Sequence, residues 1–240
     1  MGLFSIFGRQ KSLCETAYLE GGMDYHSHVL YGVDDGAATL DDSLQMLDYM
    51  ENIGIAELWC TPHIMEDIPN ETEILKDRFE DLRSMYSGNI KLHLAAEYML
   101  DNLFEARLSD NDLLPLDETN ILVETSCINP PYSMDELLYE IKSKGFFPLL
   151  AHPERYRYLR NDDYERLAAD GVRFQLNLPS LTGYYGDTAK GKAEWLLERG
   201  MYSYSGSDCH RLGTFRHQYN TKELNKSILP MLKSLLKGGK

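Results

Sequence analysis

At 240 residues and 43% hydrophobic composition, the chain is long enough to bury one sizeable core. Its formal net charge of −14 argues against a nucleic-acid surface, which requires clustered lysine and arginine. No segment approaches the apolar length that spans a bilayer, the amino terminus lacks a signal peptide's apolar stretch, and the four cysteines have no framework spacing, so a cytoplasmic protein without an integral membrane segment is expected.

Residues 1–20 are assigned to an N-terminal extension and 21–240 to a single domain. Within the extension, 2–7 read as a short amphipathic stretch that packs on the domain or stays unstructured. The first strand carries His26-Ser27-His28. Residues two apart on a strand share a face, so the two imidazoles can grip one metal ion, although an isolated pair reads equally as two ordinary polar-strand histidines. The acidic loop Val33-Asp34-Asp35-Gly36 follows, and then helical periodicity over 39–52.

Further along, short apolar runs end in residues able to bind metal: 56–63 in His63, 90–97 in Glu97, 120–124 in Glu124, 146–152 in His152, and 201–210 in Asp208 and His210. Between them, helical spacing covers 71–86, 134–144, 162–169, 188–199 and 221–236, with Pro230 set to kink the last helix or start a new turn. Residues 172–177 add one more strand, and the loop after it places Tyr184 and Tyr185 at the mouth of any site there, to stack on a substrate ring or to pack the loop. Seven βα units imply a parallel sheet with its site at the strands' carboxyl ends, best fitted by a seven-stranded variant of the TIM barrel. Barrel closure would bring His26, His28, His63, Glu97, Glu124, His152, Asp208 and His210 to one rim. Of seven histidines only His93 and His217 fall elsewhere, and we read those two as structural or supporting.

Mixed imidazole and carboxylate donors suit Mn, Fe or Zn rather than Ca or Mg. Such a cluster binds a hydroxide made at neutral pH, holds it in line with phosphorus and neutralises charge on the attacking and leaving oxygens. A cysteine nucleophile with a C-x₅-R loop is excluded, because the sixth residues after Cys14, Cys60, Cys127 and Cys209 are Glu20, Glu66, Ser133 and Phe215. Cys209 reads as a small buried apolar residue. Arg155 and Arg216 are the candidate phosphate clamps, with Arg157, Arg160 and Arg211 close enough to compete.

The ordered set His26-x-His28, Asp34-Asp35-Gly36, Thr61-Pro62-His63, Ala96-Glu97, Val123-Glu124, His152-Pro153-Glu154-Arg155 and Ser207-Asp208-x-His210 resembles the PHP (polymerase and histidinol phosphatase) superfamily over about residues 23–215. Within it the chain looks most like the bacterial capsule-operon protein-tyrosine phosphatases, the carboxylate at Glu124 favouring that branch. The resemblance implies a distorted TIM-like (β/α)₇ barrel holding three divalent transition-metal ions, with manganese favoured for activity. It implies His26, His28, Glu97 and Asp208 on the first metal, Glu97 bridging to a second with Glu124 and His152, and Asp35, His63 and His210 on a third. It further implies a phosphotyrosine protein as substrate, the tail of a bacterial tyrosine autokinase that governs capsule or exopolysaccharide synthesis. The alternatives are a small-molecule phosphatase, such as one acting on histidinol phosphate, and a metal-dependent C–N hydrolase, whose barrels also begin with HxH. Taken singly, Asp35 also reads as a turn former and Glu124 as an arginine partner.

Overall fold

The computed structural model describes residues 11–16, 19–221 and 223–237; the stretch 2–7 lies outside the described residues. Strands β1 (Gly22–Ser27), β2 (Ile55–Cys60) and β4 (Lys91–Leu94) form one parallel ladder. A second joins β3 (His63–Ile64), β5 (Glu97–Met99), β6 (Asn120–Glu124), β7 (Phe147–Ala151), β8 (Arg173–Asn177) and β9 (Tyr202–Gly206). The two ladders belong together. β2 and β3 are halves of one strand interrupted at Thr61-Pro62, where proline has no N–H to give a ladder. β4 and β5 are halves of the next, and the Ala95 N–H to Cys60 O (2.9 Å) and Glu97 N–H to Pro62 O (3.1 Å) bonds span both breaks. The nine segments therefore make seven strands.

The ring closes between β9 and β1. Asp208 N–H donates to His26 O (2.8 Å) and His28 N–H to Cys209 O (3.0 Å), with Ser27 bridging Cys209 in parallel register. Closure needs two glycines. A Cβ on Gly206 would collide with the His26 side chain, and one on Gly36 with the His28 carbonyl, so neither position tolerates a side chain without moving the HxH strand.

The helices α1 (Leu40–Asn52) and α2 (Thr72–Met85) lie where the periodicity predicts them. Next comes α3 (Asn102–Asp110), which the sequence reading omits, and then the predicted α4 (Met134–Ser143), α5 (Asn161–Ala169) and α6 (Asp187–Glu198). The carboxyl-terminal region needs correction. Instead of one helix over 221–236, the chain forms an unpredicted helix α7 (Leu212–Asn220), a 3₁₀ turn at Lys226–Ile228, and a short α8 (Leu229–Leu235). Pro230 sits in the first turn of α8, where its missing N–H removes no helical bond. Helix α7 carries Gly213 and buries only Phe215, Gln218 and Tyr219, too few to show a 3.6-residue period.

The main core fills the space between strands and helices, and Leu13 from the extension is buried in it. A separate cluster contains Tyr25, Trp59, Leu122, Leu149 and Tyr204. Tyr25 stacks on Trp59 at 4.2 Å and meets Tyr204 edge-on at 4.8 Å. Leu122 precedes Glu124 by two residues and so shares its face, which makes this cluster the apolar floor beneath the strand ends. His93 lies against that floor, stacked on Trp59 at 4.0 Å and bonded to Glu57 at 2.9 Å, a packing role. His217 is exposed on α7.

Candidate metal centre

Each predicted rim residue sits near or just beyond the carboxyl end of one of the seven strands. His26 is in β1 and His28 one residue past it; His63 opens β3 beside Glu97, its direct partner in β5; Glu124 closes β6. His152 follows β7, and Asp208 and His210 follow β9. His152 (φ 38°) and Asp208 (φ 53°) adopt left-handed backbone, two of the three non-glycine cases among the described residues. Such strain persists where surrounding structure over-determines it, and here it turns both side chains off their strands toward the centre.

The donor atoms converge. His26 Nε2 lies 3.2 Å from His28 Nε2 and 3.2 Å from Glu97 Oε2, and both imidazoles stand 3.5 Å from Asp208 Oδ1. Glu97 Oε1 is 3.0 Å from His152 Nε2, which is 3.6 Å from Glu124 Oε2. His63 faces two ways: Nδ1 is 3.1 Å from Glu97 Oε2 and 3.2 Å from Glu124 Oε1, while Nε2 is 3.6 Å from Asp35 Oδ1. His210 Nε2 meets the same Asp35 oxygen at 3.2 Å. Donors bound at about 2.1 Å to one ion stand about 3.0–3.4 Å apart, so these separations fit shared cations. Among the described residues three groups bring their donor atoms within 4.8 Å of one another: His26, His28 and Asp208; His63, Glu97 and Glu124; and His28, Asp35, His63 and His210.

A surrounding set of bonds decides which atoms are left bare. Gln175 Nε2 donates to Tyr25 O (3.1 Å), which turns its Oε1 toward His26 Nδ1 (2.7 Å); that nitrogen must then carry the proton, leaving Nε2 with a lone pair. Asp34 Oδ2 does the same for His28 Nδ1 (2.7 Å), and the Asp208 carbonyl for His210 Nδ1 (3.0 Å). Asp208 Oδ2 accepts from Arg155 (2.7 Å) and Asn177 (2.9 Å), so only Oδ1 faces the centre. Glu154 is wholly buried, accepting Asn177 N–H (3.0 Å) and the Tyr202 hydroxyl (2.9 Å), and so holds the end of β8 in place.

Lone pairs pointed at lone pairs repel unless a cation lies between. Glu97 Oε2 and His63 Nδ1 are buried without a hydrogen-bond partner although they face one another. With protons as the only available cations, the imidazoles take them. Burial opposes charge on His28, yet Asp208, Asp34 and Glu97 push it well above its ordinary value, and Glu124 and Glu97 likewise overcome burial to raise His63 to about 10. Glu97 is held well below the usual carboxylate range: burial opposes its charge, but His26, His152 and His28 outweigh it. The residues present therefore fit divalent metal, with mixed nitrogen and oxygen donors and buried negative charge awaiting a partner.

Above the cluster opens a cavity of about 410 Å³, lined by Asp35, His63, Glu97, Glu124, His152, Asp208 and His210 together with Arg155, Tyr184, Tyr185 and Arg211. The Arg155 guanidinium covers the Tyr185 ring at 4.4 Å. Arg216 is not brought there. It lies over the Tyr49 ring at 4.8 Å, because Thr214, Phe215 and Gln218 occupy the cavity face of α7 and position 216 points to the other side. Cys209 reaches the wall but is buried, and burial pushes its thiol well above the ordinary range, which leaves no thiolate. Asp34, Gln175, Asn177 and Glu154 are supporting residues the sequence reading left unassigned. One signal existed for two of them: polar residues at every second position, Arg173, Gln175 and Asn177, in a strand that is otherwise Phe174 and Leu176.

Fold and site together define an α/β barrel with candidate metal-binding clusters of histidine and carboxylate at its carboxyl rim. The chain belongs to the CpsB/CapC family of capsular polysaccharide synthesis, which matches residues 22–224. It is 29% identical over 208 residues to the tyrosine-protein phosphatase YwqE of Bacillus subtilis, covering 84% of this chain and 81% of that one. It is 27% identical over 210 residues to the tyrosine-protein phosphatase CpsB of Streptococcus pneumoniae, covering 79% and 83%. A crystal structure from work on those two proteins, described as unique metal-dependent tyrosine phosphatases, superposes with a TM-score of 0.73 at 27% identity over 90% of this chain and 88% of the other. The fold alone is shared with the Escherichia coli phosphotriesterase homology protein, at a TM-score of 0.52 and 12% identity over 90% and 92%.

Proposed function

We propose that this chain is a metal-dependent protein-tyrosine phosphatase. The observation that carries the reading is the convergence of His26, His28, Glu97 and Asp208 beside Glu124, His152, His63, Asp35 and His210 under one open cavity. In this reading the first four hold one ion, Glu97 is shared with a second held by Glu124 and His152, and Asp35 and His210 hold a third. His63 stands between the last two positions, nearer Glu97 and Glu124 than Asp35. Bound metal supplies Lewis acidity and a nucleophile drawn from water at neutral pH, with manganese the favoured ion. Arg155 uses one N–H on Asp208 and keeps others for a phosphoryl oxygen, and Tyr184 and Tyr185 wall the side where an aryl ring enters. A phenolate, ionising near pKa 10, leaves more readily than an alkoxide, so the site suits an aryl ester. The partner is a phosphotyrosine protein, the tail of a bacterial tyrosine autokinase, which accords with the named activity of the relatives and the family's place in capsule synthesis.

The test is phosphate release from a phosphotyrosine peptide and from histidinol phosphate, with Mn²⁺, after chelation, and in Asp208→Ala. We expect peptide-preferring turnover that chelation abolishes and that the substitution lowers by at least about a hundredfold. Preference for histidinol phosphate would move the assignment to a small-molecule phosphatase, and turnover of neither would overturn it.

A further inference from the structure

Helix α7 meets the cavity with its amino-terminal end, and three hydrogen-bond donors on that side have no partner among the described residues. Arg211 is its N-cap, with no side-chain cap bond and no acidic residue in the first turn, so the leading amides keep the helix's positive end uncovered. Thr214 lies in that turn, and Gln218 one turn further on the same face. Gln218 decides the matter. The residue is only 5% exposed, it lines the cavity, and its amide has no hydrogen-bond partner among the described residues. Its amide is open to the cavity rather than sealed in the core, so an anion there can meet it. The cations divide likewise: Arg155 is paired to Asp208 and Arg216 is stacked on Tyr49, while Arg211 forms no ion pair among the described residues.

The geometry points to Arg211, Thr214 and Gln218, with the first-turn amides of α7, as an anion subsite that holds the phosphoryl group of the substrate in the cavity shared with Arg155. It deepens the phosphatase reading above and rests on it. Arg211 supplies the charge and forked donors, α7 supplies aligned dipoles, and Gln218 fixes how deep an oxygen sits. Arg211 thereby takes the role expected of Arg216.

Orthophosphate is the probe, bound to metal-loaded protein in equilibrium dialysis and used as a competitive inhibitor of phosphotyrosine-peptide hydrolysis, with metal content measured on each sample. Arg211→Ala should weaken phosphate binding and raise KM by roughly tenfold to a hundredfold at unchanged metal content. Gln218→Leu should weaken phosphate binding severalfold, and Arg211→Lys should restore part of the loss. Arg211→Ala that binds phosphate like the parent, or that loses metal together with phosphate, overturns the subsite, as does a larger loss in Arg216→Ala. A parent protein that binds phosphate through Arg211 yet hydrolyses no phosphotyrosine would sink the phosphatase reading and leave the subsite standing. Normal hydrolysis with indifferent variants does the reverse.

Discussion

Asp34 and Asp35 are neighbours in the chain with opposite surroundings. The Asp34 side chain is fully buried, and both its oxygens accept: Oδ2 from His28 Nδ1 and His63 N–H, Oδ1 from Gly36 N–H. Asp35 is 63% exposed and turns its carboxylate to His63 and His210. An amide at position 34 must place an NH₂ against at least one of those donors. Asp34→Asn should therefore weaken metal binding by about 10–100-fold while leaving every proposed ligand in place. A chelator-competition titration reads this directly, and unchanged affinity would mean that His28 needs no such support.

Among the elements, the junction of β9 with β1 carries the site residues themselves, whereas the cap of α1 lies at the exposed surface. Gly206 packs on His26, so Gly206→Ala must push the first strand away from Asp208, and overpacking of this kind destabilises by about 1–3 kcal/mol or more. Thr39 forms a capping box with Asp42 at the exposed start of α1. Its loss in Thr39→Ala should lower stability by about 1 kcal/mol. Thermal melts and metal analysis run side by side should separate the two. Both variants melt earlier, but only Gly206→Ala loses metal; equal metal content in both would show that the strand junction does not govern the site.

For the molecule as a whole, the buried carboxylates at the rim should make the stability of the folded barrel depend on cations. A ligand that binds only the native state, at a free concentration about 1000 times its Kd, stabilises by about 4 kcal/mol. For a domain of this size that corresponds to about 10 °C in Tm. Added Mn²⁺ should raise the melting temperature by that order and chelation should reverse it, so a melt indifferent to both would contradict the metal assignment. Among the described residues no helix is long and apolar enough to cross a membrane.

What the sequence by itself determined is what short-range periodicity and residue type encode. Alternation of strand and helix was legible because both periods are local; His26 and His28 were legible by their two-residue spacing on a strand, and His63 and His152 because each ends an apolar run. Three matters were decided only by the tertiary structure. Gln175 meets His26 across 149 positions and Asn177 meets Asp208 across 31, contacts that exist only once the ring is closed. Arg216 and Arg211 are indistinguishable as charges in a string, and the rotation of a nine-residue helix sends one to Tyr49 and the other to the cavity. The tautomers of His26, His28 and His210, and with them the nitrogens left to bind metal, follow from the hydrogen bond made by each ring's second nitrogen, and those bonds depend on where the folded chain places Gln175, Asp34 and the Asp208 carbonyl.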